Sequence, residues 1–205
     1  LQRRLVSEFG SYNNFEEEYT PFGSDFRVKH KLAPLGTLFH ISAGNTQLLA
    51  AYSIVEGLLC GNINIVKLDS FDDGLSVLLL KRLIDIEPEL KDFIFVFNIA
   101  SDNIDRLKKI ASLSDAIIIW GGDEAVKAVR SFAPLNTQLI EWGHKISFAY
   151  ISYGSNPDNI ADEALRFIAY NICDTNQLFC NSCQGIFLDS ESFDEVKAFS
   201  KRFLP

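Results

Sequence analysis

The chain has 205 residues, 47% of them hydrophobic and 22% charged; this is ordinary for a globular protein and excludes disordered, collagenous and fibrous classes. At roughly 150 residues per domain, that length allows about one and a half domains, enough to bury a core without disulfide or metal staples. Nineteen Lys and Arg against 27 Asp and Glu leave a net charge of −8, and no cluster of bases offers a face to phosphate backbones, so a nucleic-acid partner is not expected.

No apolar run reaches the ~18 residues of a membrane-spanning helix. The start, Leu1 to Leu5, leads into acidic Glu16-Glu17-Glu18 and not into a secretory h-region. The expectation is no export, and a cytoplasmic location. Met is absent throughout, and the last residues continue a helical pattern. Part of a longer enzyme is therefore expected.

Residues 1–31 are polar with scattered aromatics (Phe9, Tyr12, Phe15, Tyr19, Phe22). A regular alternation begins at Leu35. The apolar run 35–41, bounded by Pro34 and Gly44, predicts a buried strand, and the spacing of Leu48, Leu49, Tyr52, Val55, Leu58 and Leu59 predicts a helix over 46–59 that stops at Gly61-Asn62. Strands follow at 63–68, 93–97, 116–120, 137–140, 146–151 and 185–188, and helices at 72–86, 103–113, 124–132, 159–172 and 193–203. Short strands alternating with longer helices predict an α/β fold, a Rossmann-like parallel sheet with helices on both faces. Such sheets bind ligands at the carboxyl ends of their strands, so the chemistry is sought there.

After the first strand, Asn45 stands at a helix start, as a plain N-cap or as a donor to a ligand. Lys67 closes the second strand, followed by Leu68-Asp69-Ser70; it reads as a ribose or phosphate contact or as a solvated edge charge. Gly121-Gly122 follow the fourth strand, where paired glycines let backbone approach a phosphate or simply make a tight turn. Glu141, beside Trp142 and Gly143, reads as a general base with its pKa raised by desolvation, or as part of a surface turn. Cys180 and Cys183 are spaced for a metal or dithiol site, but no second CxxC and no paired His complete four zinc ligands, and no metal is expected. A nucleophilic thiolate, or two small buried residues, remain.

In their order these segments resemble the aldehyde dehydrogenase superfamily, and within it the acyl-CoA reductase (LuxC-like) branch that makes fatty aldehyde in bacterial luminescence. The resemblance rests on Gly36, His40, Ile41 and Asn45; on Glu56-Gly57-Leu58-Leu59-Cys60-Gly61-Asn62 running on to Lys67; on Trp120-Gly121-Gly122-Asp123; on Glu141-Trp142-Gly143-His144-Lys145-Ile146-Ser147; and on Gln177, Cys180, Ser182 and Gln184. It covers about residues 33–190.

The resemblance implies a coenzyme-binding domain over 33–150, an N-terminal segment 1–32 packed on it, and the start of a Cys-bearing catalytic domain over 151–205, together a fragment of a larger two-domain enzyme. It implies Cys180 as nucleophile, Asn45 as oxyanion donor and Glu141 as general base. Lys67 would lie on the adenosine ribose and Gly121 and Gly122 beside the pyrophosphate. Ser70 stands where the superfamily has a ribose-binding Glu, which removes repulsion toward a 2′-phosphate and permits NADPH, with NADH as the alternative. His144 replaces a Gly and crowds the loop after Glu141, and Cys183, where luminescence relatives have Pro, is a variable flank or a resolving thiol. The implied activity is reduction of a long-chain acyl-CoA or acyl-protein thioester to aldehyde through a Cys-bound thioester, with an acyl-protein synthetase as a possible partner and a homo-oligomeric parent. The alternatives are an aldehyde-oxidising dehydrogenase and a non-catalytic acyl-binding subunit.

Overall fold

The computed structural model describes residues 29–152, 160–177 and 179–203, with Val6, Glu18 and Thr20. The five early aromatics and the start expected for the long helix at 159 lie outside these residues. Two compact units divide between Gly143 and His144.

The first unit runs β1 (Thr37–Ile41), α1 (Leu49–Leu59), β2 (Ile63–Lys67), α2 (Leu75–Ile86), a short 3-10 turn (Pro88–Asp92), β3 (Ile94–Phe97), α3 (Ile104–Ala111), β4 (Ala116–Trp120), α4 (Asp123–Phe132) and β5 (Gln138–Trp142). Its five strands are all parallel in the order β3-β2-β1-β4-β5. The alternation of side chains along each strand feeds two cores. Phe39, Ile117 and Ile119 pack with Leu107 and Ala111 of α3 and Val129 of α4 on one face. Val66 and Ile94 pack with Ala50, Ala51 and Ile54 of α1 and Leu80 of α2 on the other. Helices thus cover both faces, as the sequence pattern predicts.

Helix α1 ends as its sequence dictates. Gly61 takes φ 76; its N–H donates to the Leu58 carbonyl (2.9 Å), and the Asn62 N–H to that of Gly57 (3.0 Å). This paired closure needs a left-handed residue, a conformation that glycine adopts at little cost. Helix starts fall later than their polar signals. Asp72 and Asp73 accept from the backbone N–H of Gly74 and Leu75 (2.9 and 3.0 Å), making turns ahead of α2 in place of capping it.

One buried polar group crosses this apolar unit. His40, in the middle of β1, is fully buried. Its Nδ1 lies 2.7 Å from Ser53 Oγ of α1 and its Nε2 3.0 Å from Asn64 Oδ1 of β2. The Trp120 indole N–H of β4 donates to the same Ser53 oxygen (3.1 Å), and Asn64 Nδ2 donates to the Asn62 carbonyl (2.7 Å). One tautomer satisfies every partner: Nε2 carries the proton toward Asn64, and Nδ1 accepts from the Ser53 hydroxyl. Gly57 is required above this network, since a Cβ there would lie 1.8 Å from Asn64 Oδ1.

The second unit holds β6 (Ser147–Ile151), α5 (Asp162–Cys173), a 3-10 turn (Asp174–Gln177), β7 (Cys183–Leu188) and α6 (Phe193–Phe203). β6 and β7 pair in parallel. Ile151, Ile186 and Leu188 pack on Ile160, Leu165, Phe199 and Phe203. β7 begins two residues before the 185 expected from sequence, because Cys183 pairs with Ser147.

Burial lowers the His40 pKa to about 4, with the Asn64 hydrogen bond opposing it. An unfolded His titrates near 6.5, so between these values the unfolded chain binds a proton that the folded chain refuses. This contribution is complete above about pH 6.5 and is lost as pH falls toward 4, on the order of 3 kcal/mol. Urea midpoints measured from pH 7 to 4.5 should fall accordingly, and in His40→Gln, whose neutral amide can both accept and donate, this component of the slope should vanish. An unchanged slope in the variant would remove His40 as its source.

Candidate functional site

The strand order changes direction at β1, so the loops after β1 and β4 flank the point where parallel sheets bind ligands. Four of the sequence-predicted segments lie along this carboxyl edge. The register runs Lys67↔Ile41↔Ile119↔Glu141 across four adjacent strands, which places Lys67 and Glu141 in one row, roughly 14 Å apart at three strand spacings.

Asn45 does not cap α1. The N-cap is Leu48, in left-handed conformation with φ 62 and without a side-chain cap bond. Asn45 lies three residues earlier in an exposed turn, where its Oδ1 accepts a long bond from the Thr46 hydroxyl (3.5 Å). The loop itself is anchored by buried Ser42, whose hydroxyl donates to the Lys67 carbonyl (3.2 Å) and accepts from the Asp69 N–H (3.1 Å). The loops after β1 and β2 are thereby tied to each other.

Lys67 is not a solvated edge charge, because only 5% of its surface is exposed. Its Nζ donates to the Ser101 hydroxyl (2.9 Å), from the loop after β3. Burial pushes the amine below the ordinary lysine range, and the charge of Asp69 opposes that shift. Ser70 is exposed in the turn beyond, while Asp69 accepts from the Phe71 N–H (2.7 Å).

At Gly121 a Cβ would meet Ala125 Cβ at 2.9 Å, so glycine lets the turn close on α4; around Gly122 there is open space. Asp123 and Glu124 fill the first turn of α4. They suit the helix dipole and would repel a phosphate, and the Gly121 N–H is already donated to the Trp142 carbonyl (3.3 Å), so what this turn shows is the open space at Gly122.

Glu141 corrects two expectations. It lies inside β5, not after it, because pairing with β4 continues to Trp142, whose ring stacks on Trp120 at 5.1 Å and 8°. Its pKa is also not raised. Both oxygens are held by Arg130 of α4, Nε to Oε1 at 2.6 Å and Nη2 to Oε2 at 2.7 Å, and this hydrogen bonding, with the guanidinium charge, keeps the carboxyl below its usual range. His144, expected to crowd this loop, is exposed.

In the second unit Cys180 is exposed, in a turn closed by Ser182 N–H donating to the Phe179 carbonyl (3.1 Å). The Cys180 carbonyl accepts from the Ser147 hydroxyl of β6 (2.6 Å). Cys183 is buried; its N–H donates to Asn171 Oδ1 of α5 (2.9 Å) and its thiol to the Gly185 carbonyl (3.1 Å). The two cysteines therefore have different environments, which the sequence reading left open. Asn176 and Gln177, at φ 51 and 60, precede the turn in left-handed conformation, a local strain of the kind stored at functional sites. A cavity of about 170 Å³ beside the turn is lined mainly by Phe148, Ala149, Phe167 and Ile168, with Asn181 and Cys183. Among the described residues no three His, Cys, Asp or Glu cluster to hold a metal, and no helix is long and apolar enough to cross a membrane.

The acyl-CoA reductase (LuxC) family matches over residues 1–204. The chain belongs to this family. Among curated relatives, a long-chain acyl-protein thioester reductase 2 from Photobacterium leiognathi is 31% identical over 193 residues, covering 93% of this chain and 39% of the relative. The chain thus spans about two fifths of that protein's length. Lactaldehyde dehydrogenase from Escherichia coli superposes with a TM-score of 0.69 at 15% identity, over 98% of this chain and 42% of that one. Rhodopseudomonas palustris propionaldehyde dehydrogenase, solved with bound propionyl-CoA, gives 0.65 at 16% identity, over 84% and 37%. At such identities these structures establish the fold, an aldehyde dehydrogenase-like parallel sheet.

Ser101, Arg130, Ser147 and Asn171, which hold Lys67, Glu141 and the cysteine turn, were not singled out from sequence. Each bond joins residues 11 to 34 positions apart, and no spacing rule reports such pairs. The family motif contains Ser147, which was the one available signal.

Exposure and bonding order the four thiols. Burial, and next the charge of Glu56, push the Cys60 thiol up, and Cys183 is buried with its Sγ engaged. Iodoacetamide at neutral pH should label the exposed Cys180 and Cys173 at least about tenfold faster than Cys60 and Cys183. Peptide mapping that finds Cys183 labelled as fast as Cys180 would contradict the turn described above.

Proposed function

We propose that the protein containing this chain reduces a long-chain acyl thioester, on a protein or on CoA, to a fatty aldehyde with a nicotinamide nucleotide, through a thioester on Cys180. The observation that carries this reading is the family match over residues 1–204, supported by an exposed Cys180 in a segment that resembles the family's cysteine motif. The parent is read as a cytoplasmic homo-oligomer that receives acyl groups from an acyl-protein synthetase.

The residues present fit a nucleotide. Lys67 offers a buried ammonium at the sheet's carboxyl edge, held in place by Ser101, and the space at Gly122 admits close backbone approach. Lys67 would hold the ribose, with Gly121 and Gly122 beside the pyrophosphate. Bound there, the nucleotide supplies hydride.

The thiolate of Cys180 attacks the acyl carbonyl, since sulfur is nucleophilic once ionised. The Asn45 amide and the Cys180 N–H, assigned on the family pattern, stabilise the oxyanion; one such donor is worth about 2.7–4 kcal/mol in well-studied enzymes. The leaving thiol departs, and the acyl group stays on Cys180 until hydride reaches its carbonyl carbon. The thiolate is then expelled and aldehyde released. No step needs activated water, so this reading does not call on Glu141, which is paired with Arg130, as a base. The small apolar cavity beside the turn suits the first part of an acyl chain.

Incubating the full-length protein with a long-chain acyl-CoA and mapping adducts by mass spectrometry tests the reading. A thioester on Cys180 that disappears on adding NADPH, with release of aldehyde, is expected. No adduct on Cys180, with nucleotide binding intact, would leave aldehyde oxidation or a non-catalytic acyl-binding role. Ser70→Glu should weaken NADPH binding relative to NADH by about tenfold, since one repulsive contact of about 1.4 kcal/mol is tenfold in affinity. An unchanged NADPH/NADH ratio would remove Ser70 from the 2′-phosphate site.

A further inference from the structure

We propose that Ser101 is a positioning residue for nucleotide binding, which fixes the Lys67 ammonium without neutralising it and so leaves its charge to the adenosine ribose. This rests on the nucleotide reading above and adds a residue that no sequence motif singled out.

Lys67 is held at both ends. Its carbonyl accepts from the Ser42 N–H (3.3 Å) and hydroxyl (3.2 Å), and its Nζ donates to the Ser101 hydroxyl (2.9 Å). Ser101 follows closely on Phe97, the partner of Lys67 in the β2–β3 register, and its loop is tied down on either side. Ile99 before it is buried in the core. The turn around it is closed by the Asn103 N–H donating to the Ala100 carbonyl (3.0 Å), and Asn103 caps α3 by accepting from the Arg106 N–H (3.3 Å). An exposed serine is thereby held against a buried ammonium.

What that ammonium lacks is a counter-charge. Buried lysines are almost always paired, because a cation taken out of water needs compensation. Among the described residues no carboxylate lies in ion-pair range of Lys67. Asp69 acts on it through its charge, but the Asp69 Oδ1 accepts from the Phe71 N–H (2.7 Å). An ammonium carries three donors, and among the described residues Ser101 is its acceptor. The other donors stand at the carboxyl ends of β2 and β3, the edge where a parallel sheet takes its ligand. A carboxylate at position 101 would hold the side chain as firmly but cancel its charge. A hydroxyl orients the ammonium and stays neutral, so the charge remains for oxygens that a ligand brings. Because it accepts from Lys67, its own proton can be donated beside the ammonium.

The test measures equilibrium nucleotide binding to the full-length protein. Two matched pairs serve as probes, NADPH with 2′-phospho-ADP-ribose and NADH with ADP-ribose, and the pair that wild type binds more tightly is used. Ser101→Ala should weaken both members by the same factor, about tenfold, the lower end of what a hydrogen bond to a charged group contributes. The members of a pair differ only in nicotinamide, so an equal factor marks a change confined to the adenosine half. Ser101→Thr, which keeps the hydroxyl, should bind within about twofold of wild type, and in a Lys67→Met background Ser101→Ala should cost less than about twofold, the scatter of uncoupled changes. Ser101→Asp should weaken binding at least as much as Ser101→Ala, although an ion pair would hold Lys67 in place. Ser101 is exposed, so these substitutions leave the core intact. Wild-type affinity in Ser101→Ala or in Ser101→Asp overturns the proposal. So does a loss larger for the dinucleotide than for its nicotinamide-free partner, or one undiminished in Lys67→Met. Wild-type protein that binds none of the four probes would instead overturn the nucleotide reading, and the proposal with it.

Discussion

The hydrogen-bonded chain through His40 is the constraint on which the first unit depends. From the Trp120 indole through Ser53 and His40 to Asn64, it joins β4, α1, β1 and β2 across the middle of the sheet. Every polar atom in the line has a partner, and any slip in the placement of α1 or the register of β2 would leave one buried without one. Such a loss costs roughly 1–3 kcal/mol. Apolar packing around Phe39, Ile54 and Ile117 supplies most of the cohesion, but it is non-directional and tolerates slippage. The imidazole selects one arrangement among those that burial alone would permit.

That selection extends to the edge where chemistry is expected. Once β1, β2 and β4 are in register, Lys67 and Glu141 fall in one row, and the loops after β1 and β2 meet through Ser42. Trp120, whose indole N–H donates to Ser53, stacks on Trp142 at the end of the β4–β5 pairing, in which Glu141 lies inside β5. Glu141 then faces Arg130 of the preceding helix. The state of the candidate base is therefore set by its Arg130 partner, the hydrogen bond first and the guanidinium charge beside it.

The cysteine-bearing unit uses a different device. Its two-stranded sheet is small, and the turn carrying Cys180 is fixed mostly by polar contacts: the Ser147 hydroxyl on the Cys180 carbonyl and Asn171 on the Cys183 N–H. The backbone around Cys180 is thus held while its side chain stays exposed, the arrangement that the proposed attack on a carbonyl carbon would require. The neighbouring Cys183, turned inward with its thiol on the Gly185 carbonyl, is structural in this arrangement.

Much of this protein was legible without coordinates, for a physical reason. Apolar periodicity is local, so the strand–helix alternation, the parallel sheet and the segments at its carboxyl edge could be read from the chain, and the ordered motifs pointed to the family that the comparisons then established. Helix starts were misplaced by three residues at α1 and α2, because Leu48 and Gly74 turn the backbone later than the polar signals suggest. The burial and bonding partners of the candidate site residues were not legible at all. Lys67 became a buried amine, and Glu141 a carboxylate clamped by Arg130 in place of a desolvated base. These are properties of partners that lie far apart in sequence and meet only when the sheet closes. Sequence by itself determined which chemical groups stand at the edge; the tertiary structure decided their burial, their partners and the direction in which each titration shifts, because these depend on neighbours that folding alone brings near.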